Sequence, residues 1–216
     1  TAQNIRIVRQ EKEIVVKHLD NGWHILEQVY AFADESKVLE IMNILSATSQ
    51  QRFPLADLER FSLERPNMQL YIDNEYFGFG GFAPTTNQQY LATGDYVYLI
   101  SPRYVITLPL EASDMLNPML LTPNETPVKF ELTDLKVAFQ NGKWNSTTQN
   151  AEQLPKEDVI KHWIQLWQTT YANKITLEQA FGEDFAEIGH IKISLQNGQE
   201  ISFKVLQNEA EVVILR

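Results

Sequence analysis

The chain has 216 residues, enough for one large domain or two small ones. Its 44% hydrophobic and 21% charged residues are the usage of a globular protein, not of a disordered one. A net charge of −10 repels phosphate backbones and anionic headgroups, which argues against nucleic-acid binding and lipid adsorption, and the lack of cysteine excludes disulfides, thiolate metal sites and cysteine nucleophiles.

In chain order, Ile5–Trp23 reads as a β-hairpin region whose turn, Asp20-Asn21-Gly22, suits positive φ, with Trp23 opening the return strand. A helix is expected over Asp34–Ser49, capped by Asp34, with Val38, Ile41, Met42 and Leu45 at helical spacing. A short helical stretch at Leu55–Phe61 follows, then an alternating strand through Met68, Leu70 and Ile72. Gly78-Phe79-Gly80-Gly81-Phe82-Ala83 formally fits a dinucleotide-binding glycine pattern. Pro84-Thr85-Thr86 follows it instead of an amphipathic helix, so a hairpin or bulge is expected there. A long loop over Gly80–Thr93 leads to a strand at Tyr96–Ile100.

Pro109, Pro118 and Pro123 mark residues 108–125 as a connector, and Met115, Leu116, Met119, Leu120 and Leu121 predict that it is packed. Beyond it a second hairpin ends in Asn141-Gly142-Lys143 and Trp144. A helix over Pro155–Tyr171 is expected to face inward with Val159, Trp163, Leu166, Trp167 and Thr170. A helical stretch at Leu177–Phe185, a hairpin turning at Asn197-Gly198 and a last strand, Glu211–Leu215, complete the chain.

An ungapped offset of 121 lays Ile7 on Val128, Ile14 on Leu135, Val16 on Val137, His18 on Phe139 and Trp23 on Trp144, and continues into the helices. This points to duplication. The expected fold is therefore α+β: two tandem repeats of a strand-hairpin, helix, strand-hairpin unit, each a mostly antiparallel sheet with one long helix on a face. The repeats span 1–107 and 126–216, and the last strand is set level with Tyr96–Ile100.

Several features of the first repeat, taken in order, resemble a bacterial family known as "domain of unknown function 4340". They are the hairpin ending Asn21-Gly22-Trp23, Ala33-Asp34 before a helix, Phe61-Ser62-Leu63-Glu64-Arg65-Pro66, Leu70-Tyr71-Ile72, Phe77-Gly78-Phe79-Gly80, and Asp95-Tyr96-Val97-Tyr98-Leu99-Ile100. Ser62 departs from the family's usual glycine. The resemblance implies a membrane-anchored, extracytoplasmic protein, in the periplasm or on the outer face of the inner membrane. Its partners would be membrane or envelope proteins, including ABC-type transporters, and it transfers no catalytic residue. No apolar run approaches the roughly 18 residues of a membrane span. The chain opens at Thr1 without methionine. Membrane contact is thus expected only through a segment upstream of Thr1.

No catalytic, cofactor or metal residue is assigned. His18, His24, His162 and His190 lack the spacing of a helical metal pair. Glu111 with Asp114, and Glu183 with Asp184 and Glu187, read as solvated acids. Nine aromatics fall within Tyr71–Tyr104, and Tyr90, Tyr96, Tyr98, Gln88, Gln89 and Arg103 form the candidate interaction surface. Three readings stay open: protein–protein contact, binding of a glycan or small ligand through the aromatic loop, and, last, a hydrolase with groups drawn from both repeats.

Overall fold

A computed structural model describes residues 2–26, 30–148, 154–175 and 184–216. The chain forms two compact units, Thr1–Asn117 and Pro118–Arg216. Each is built on a wholly antiparallel sheet with few helices, an α+β architecture. The division falls inside the proline-rich segment. Leu108, Ala112, Met115 and Leu116 are buried in the first unit, and Leu121, Thr122 and Glu125 in the second.

The first unit has strands β1 (Asn4–Arg9), β2 (Lys12–Leu19), β3 (Gly22–Ile25) and β4 (Ala31–Phe32), helix α1 (Glu35–Met42), then β5 (Arg52–Pro54), β6 (Met68–Ile72), β7 (Glu75–Phe82), β8 (Gln89–Thr93), β9 (Tyr96–Ile100) and the short helix α2 (Arg103–Ile106). The sheet order is β4-β3-β2-β1-β6-β7-β8-β9-β5. Asp34 caps α1, its Oδ1 accepting from Ser36 N–H at 2.9 Å. The helix ends at Met42, short of the expected Ser49, and a 3₁₀ turn over Asn43–Ser46 follows. Val38 and Ile41 are buried, whereas Leu45 is exposed. A second 3₁₀ turn, Leu58–Phe61, stands in the expected short helix.

The expected loop at Gly80–Thr93 is instead a hairpin. β7 runs on to Phe82 with a bulge between Phe79 and Phe82, and Ala83 N–H donates to Gln88 C=O at 2.8 Å to close the turn into β8. Glycine is required inside this bulge. A Cβ on Gly80 would stand 2.3 Å from the Phe61 carbonyl oxygen.

The second unit has β10 (Pro127–Glu131), β11 (Leu135–Gln140), β12 (Lys143–Thr148), α3 (Glu157–Thr169), β13 (Ala186–Leu195), β14 (Glu200–Gln207) and β15 (Val212–Leu215), in the order β12-β11-β10-β13-β14-β15. Phe130 is its centre. It is fully buried with Val137, Ile193 and Phe203, and its ring lies 4.8 Å from Trp163 and 5.8 Å from Trp167 of α3. The face of α3 turned to the sheet is Ile160, Trp163, Ile164 and Trp167. Val159 and Leu166, expected inward, are exposed. The stretch expected at Leu177–Phe185 lies outside the described residues apart from its last two.

Six neighbouring strands of the first sheet, β3-β2-β1-β6-β7-β8, follow the same order as β12-β11-β10-β13-β14-β15 of the second. The pair His18↔Trp23 in β2–β3 answers to Phe139↔Trp144 in β11–β12, both at the 121 offset. Ile5 opposes Val16 and Ile72, as Phe130 opposes Val137 and Ile193. Phe130, and not Thr126, therefore answers to Ile5, because eleven positions separate Ile5 from Val16 and only seven separate Phe130 from Val137, so the second hairpin is four residues shorter. The last strand is also corrected. β15 adjoins β14 as β8 adjoins β7, so it occupies the place of β8 and not of Tyr96–Ile100.

Candidate functional site

Directly opposed residues share a face of a sheet, so the registers sort the first sheet into two sides. One side carries Ile5, Ile7, Ile14, Val16, Ile25, Leu70, Ile72, Phe77, Phe79 and Leu91, all buried. The other carries Arg6, Val15, Gln69, Tyr71, Tyr76, Tyr90, Ala92 and Val97. Towards β9 this second side is covered. Phe61 and Leu63 of the 3₁₀ segment pack with Ala92 and Val97, and Phe53, Leu58, Tyr76 and Tyr90 border them. Towards β1 no buried cluster continues among the described residues, and Arg6 and Glu13 keep half-exposed side chains.

There Arg6, Tyr71 and Tyr76 make one row across β1, β6 and β7, because Arg6 opposes Tyr71 and Tyr71 opposes Tyr76. The Arg6 guanidinium lies 3.8 Å from the Tyr71 ring centre, and the two tyrosine rings are 5.2 Å apart. Tyr71 Oη–H donates to Gln69 Oε1 at 2.9 Å, and Arg6 Nη1 donates to Glu13 Oε1 at 3.4 Å. Tyr76 lies along its own strand. Its hydroxyl occupies the place a Cβ on Gly78 would take, so the glycine lets the ring lie against the sheet. Burial, then the neighbouring Tyr71, raises the Tyr76 hydroxyl pKa above its ordinary value, so the phenol stays protonated at neutral pH. The row offers flat apolar rings, a stacked cation and neutral hydroxyls, which is recognition chemistry without a nucleophile.

The residues singled out from sequence do not form one surface. Tyr96 and Tyr98 stand on the core side of the sheet on β9, beside the edge strand β5, half-buried, with Arg52 4.7 Å over the Tyr96 ring. Tyr90 is on the opposite side, edge-on to Phe61 at 4.8 Å. Gln89 is buried, its Nε2 donating to Gly80 C=O at 3.1 Å. Gln88 closes the β7–β8 turn. Arg103 is exposed and bonds the Tyr104 hydroxyl at 2.8 Å. Arg6, Tyr71 and Tyr76 lie outside the set drawn from sequence. Their signal was the alternation of Gln69, Tyr71 and Asp73 against Met68, Leu70 and Ile72.

The other polar candidates have structural partners. His24 is buried beside Phe32 at 4.3 Å, and His18 is edge-on to Trp23 at 5.2 Å. His162 and His190 are exposed. Asp114 Oδ2 accepts from Leu110 and Glu111 N–H at 2.9 and 3.1 Å, capping a 3₁₀ turn. Asp184 accepts from Asn208 and Glu187 pairs with Lys204, while Glu183 lies outside the described residues. Among the described residues no group of three histidines or carboxylates could hold a metal, and no helix is long and apolar enough to cross a membrane. No protein family, curated protein or solved structure matches the chain.

Proposed function

We propose that the chain is a non-catalytic interaction module of an envelope protein, acting by protein–protein contact through the open side of the first sheet. The observation that carries this is the row Arg6–Tyr71–Tyr76, because tyrosine and arginine on a rigid sheet are what binding hot spots are made of. The order of motifs in the first unit supports an extracytoplasmic setting, with membrane attachment through a segment upstream of Thr1 and a membrane protein, such as an ABC-type transporter, as partner. The matched strand orders and the 121 offset at β2–β3 and β11–β12 support descent of the two units from one duplicated ancestor.

The test is cross-linking followed by affinity capture from the source membranes. A defined membrane partner should be recovered with the wild type and lost with Arg6→Ala and Tyr71→Ala. Loss with Tyr96→Ala and Tyr98→Ala instead would move the contact to the other side of the sheet, at β9. A second reading, a glycan platform, is favoured by the two adjacent rings and the Gln69–Tyr71 hydrogen bond. Thermal stabilisation by a cell-wall fragment that Tyr71→Ala abolishes would select it.

A further inference from the structure

The two sheets share an order as far as β15 and part there. In the first unit the matching strand, β8, is paired on its far side by antiparallel β9. In the second unit β15, Val-Val-Ile-Leu, is an edge strand, and no strand among the described residues covers its outer side. The other three edges are blunted. β4 has two residues, β5 has three and ends on Pro54, and β12 carries Lys143, Asn145, Ser146, Thr147 and Thr148. β15 has no such guard: its four residues are all aliphatic, with Val212 57% and Ile214 38% exposed. An open apolar edge of this kind is a template for strand addition.

We propose that β15 pairs with β15 of a second copy of this chain, antiparallel about a two-fold axis through Val213, joining two six-stranded sheets into one. Two features select a copy of the chain as the occupant. With Val213 against Val213, each Val212 stands opposite the other copy's Ile214, and opposed residues share a face. Those side chains, now open to water on the side that holds Phe203, close over one another. Finally, the strand that covers β8 in the first unit is itself antiparallel and rich in apolar residues, as β15 would be.

Sedimentation velocity of the 216-residue chain from about 1 μM to about 1 mM reads the association, and amide hydrogen exchange at both extremes reads which strand is covered. A dimer is expected at the upper end, with exchange at Val212–Leu215 slowing as concentration rises. The double substitution Val212→Lys/Ile214→Lys sets lysines of the two copies against one another and is expected to weaken the dimer by roughly a hundredfold or more. Both positions are exposed, so an unchanged melting curve controls for folding. A chain that stays monomeric throughout overturns the proposal. So does a dimer that survives the double lysine substitution, or one that protects β12 in place of β15.

Discussion

The first unit buries both sides of its sheet at the β8–β9 end, whereas the second buries one side and keeps the other wet. In the first, Leu91 and Ile100 are buried on one side and Ala92 and Val97 on the other, under Phe61 and Leu63. In the second, the side away from α3 is an array of exposed ion pairs: Lys129–Glu131 at 2.9 Å, Lys136–Glu131 at 3.2 Å, Lys192–Glu200 at 2.7 Å and Lys204–Glu187 at 3.0 Å. Each such pair adds little stability, but charge on alternate residues prevents a second apolar layer from forming. The same strand order is thus finished by glycine and aromatic packing in one unit and by lysine–glutamate alternation in the other.

The largest expected effect is at Phe130. Phe130→Ala removes the ring that Trp144, Trp163 and Trp167 surround, at an expected cost of about 3–5 kcal/mol. Because those are three of the chain's four tryptophans, indole fluorescence during denaturation reports mainly the second unit. That transition should move to lower denaturant while the far-ultraviolet signal of the first unit holds. One shared, shifted transition would break the comparison of two separate cores.

Gly80→Ala comes next. The added Cβ meets the Phe61 carbonyl and Leu63, so the 3₁₀ segment must lift, at an expected cost of about 1–3 kcal/mol. Gly189→Ala in the second unit, with nothing within 4 Å of the new carbon, should leave the denaturation midpoint almost unmoved. Ser62→Gly acts in the other direction. Ser62 ends the 3₁₀ turn at φ 57°, a left-handed conformation that favours glycine, and its replacement should stabilise by about 0.5–1 kcal/mol in chemical denaturation.

The smallest effect is a pH dependence. Asp73 Oδ1 accepts from the N–H groups of Gln3 and Asn4 at 2.9 and 2.8 Å, and these bonds lower its pKa below the ordinary aspartate value. A folded-state pKa below the unfolded one stabilises above the unfolded pKa, and the contribution is lost as pH falls through the folded value. The protection of the Gln3 and Asn4 amides, taken against the intrinsic exchange rate at each pH, should therefore fall on acidification, and Asp73→Asn should remove that dependence.

Much of the strand framework was legible because turn chemistry is local. Gly22, Gly142 and Gly198 all sit at positive φ in the hairpins that Asn-Gly marked. The inward face of α3 was legible only in part: Trp163 and Trp167 pack inward as expected, whereas Val159 and Leu166 do not. Val159, Trp163 and Leu166 interleave with Ile160, Ile164 and Trp167, so two helical phases are both apolar, and only packing against Phe130 and Phe203 chooses between them. The candidate surface shows the same limit. Alternation states that Tyr96 and Tyr98 share a face, but it cannot say which face is covered. Tyr90 fell on the opposite face because the bulge at Phe79–Phe82 and the β8–β9 register decide it. The row Arg6–Tyr71–Tyr76 joins β1 to the distant β6–β7 hairpin, so the alternation that sets Tyr71 apart from Leu70 and Ile72 could not announce Arg6 beside it.

Tyrosine-selective footprinting, comparing the purified chain with the protein in its source membranes, tests the tyrosine face most directly. Tyr71 and Tyr76 are expected to label in the purified chain and to be protected in the membranes, with Tyr96 and Tyr98 unchanged between the two. Equal labelling of Tyr71 and Tyr76 in both states, with protection confined to Tyr96 and Tyr98, would contradict it.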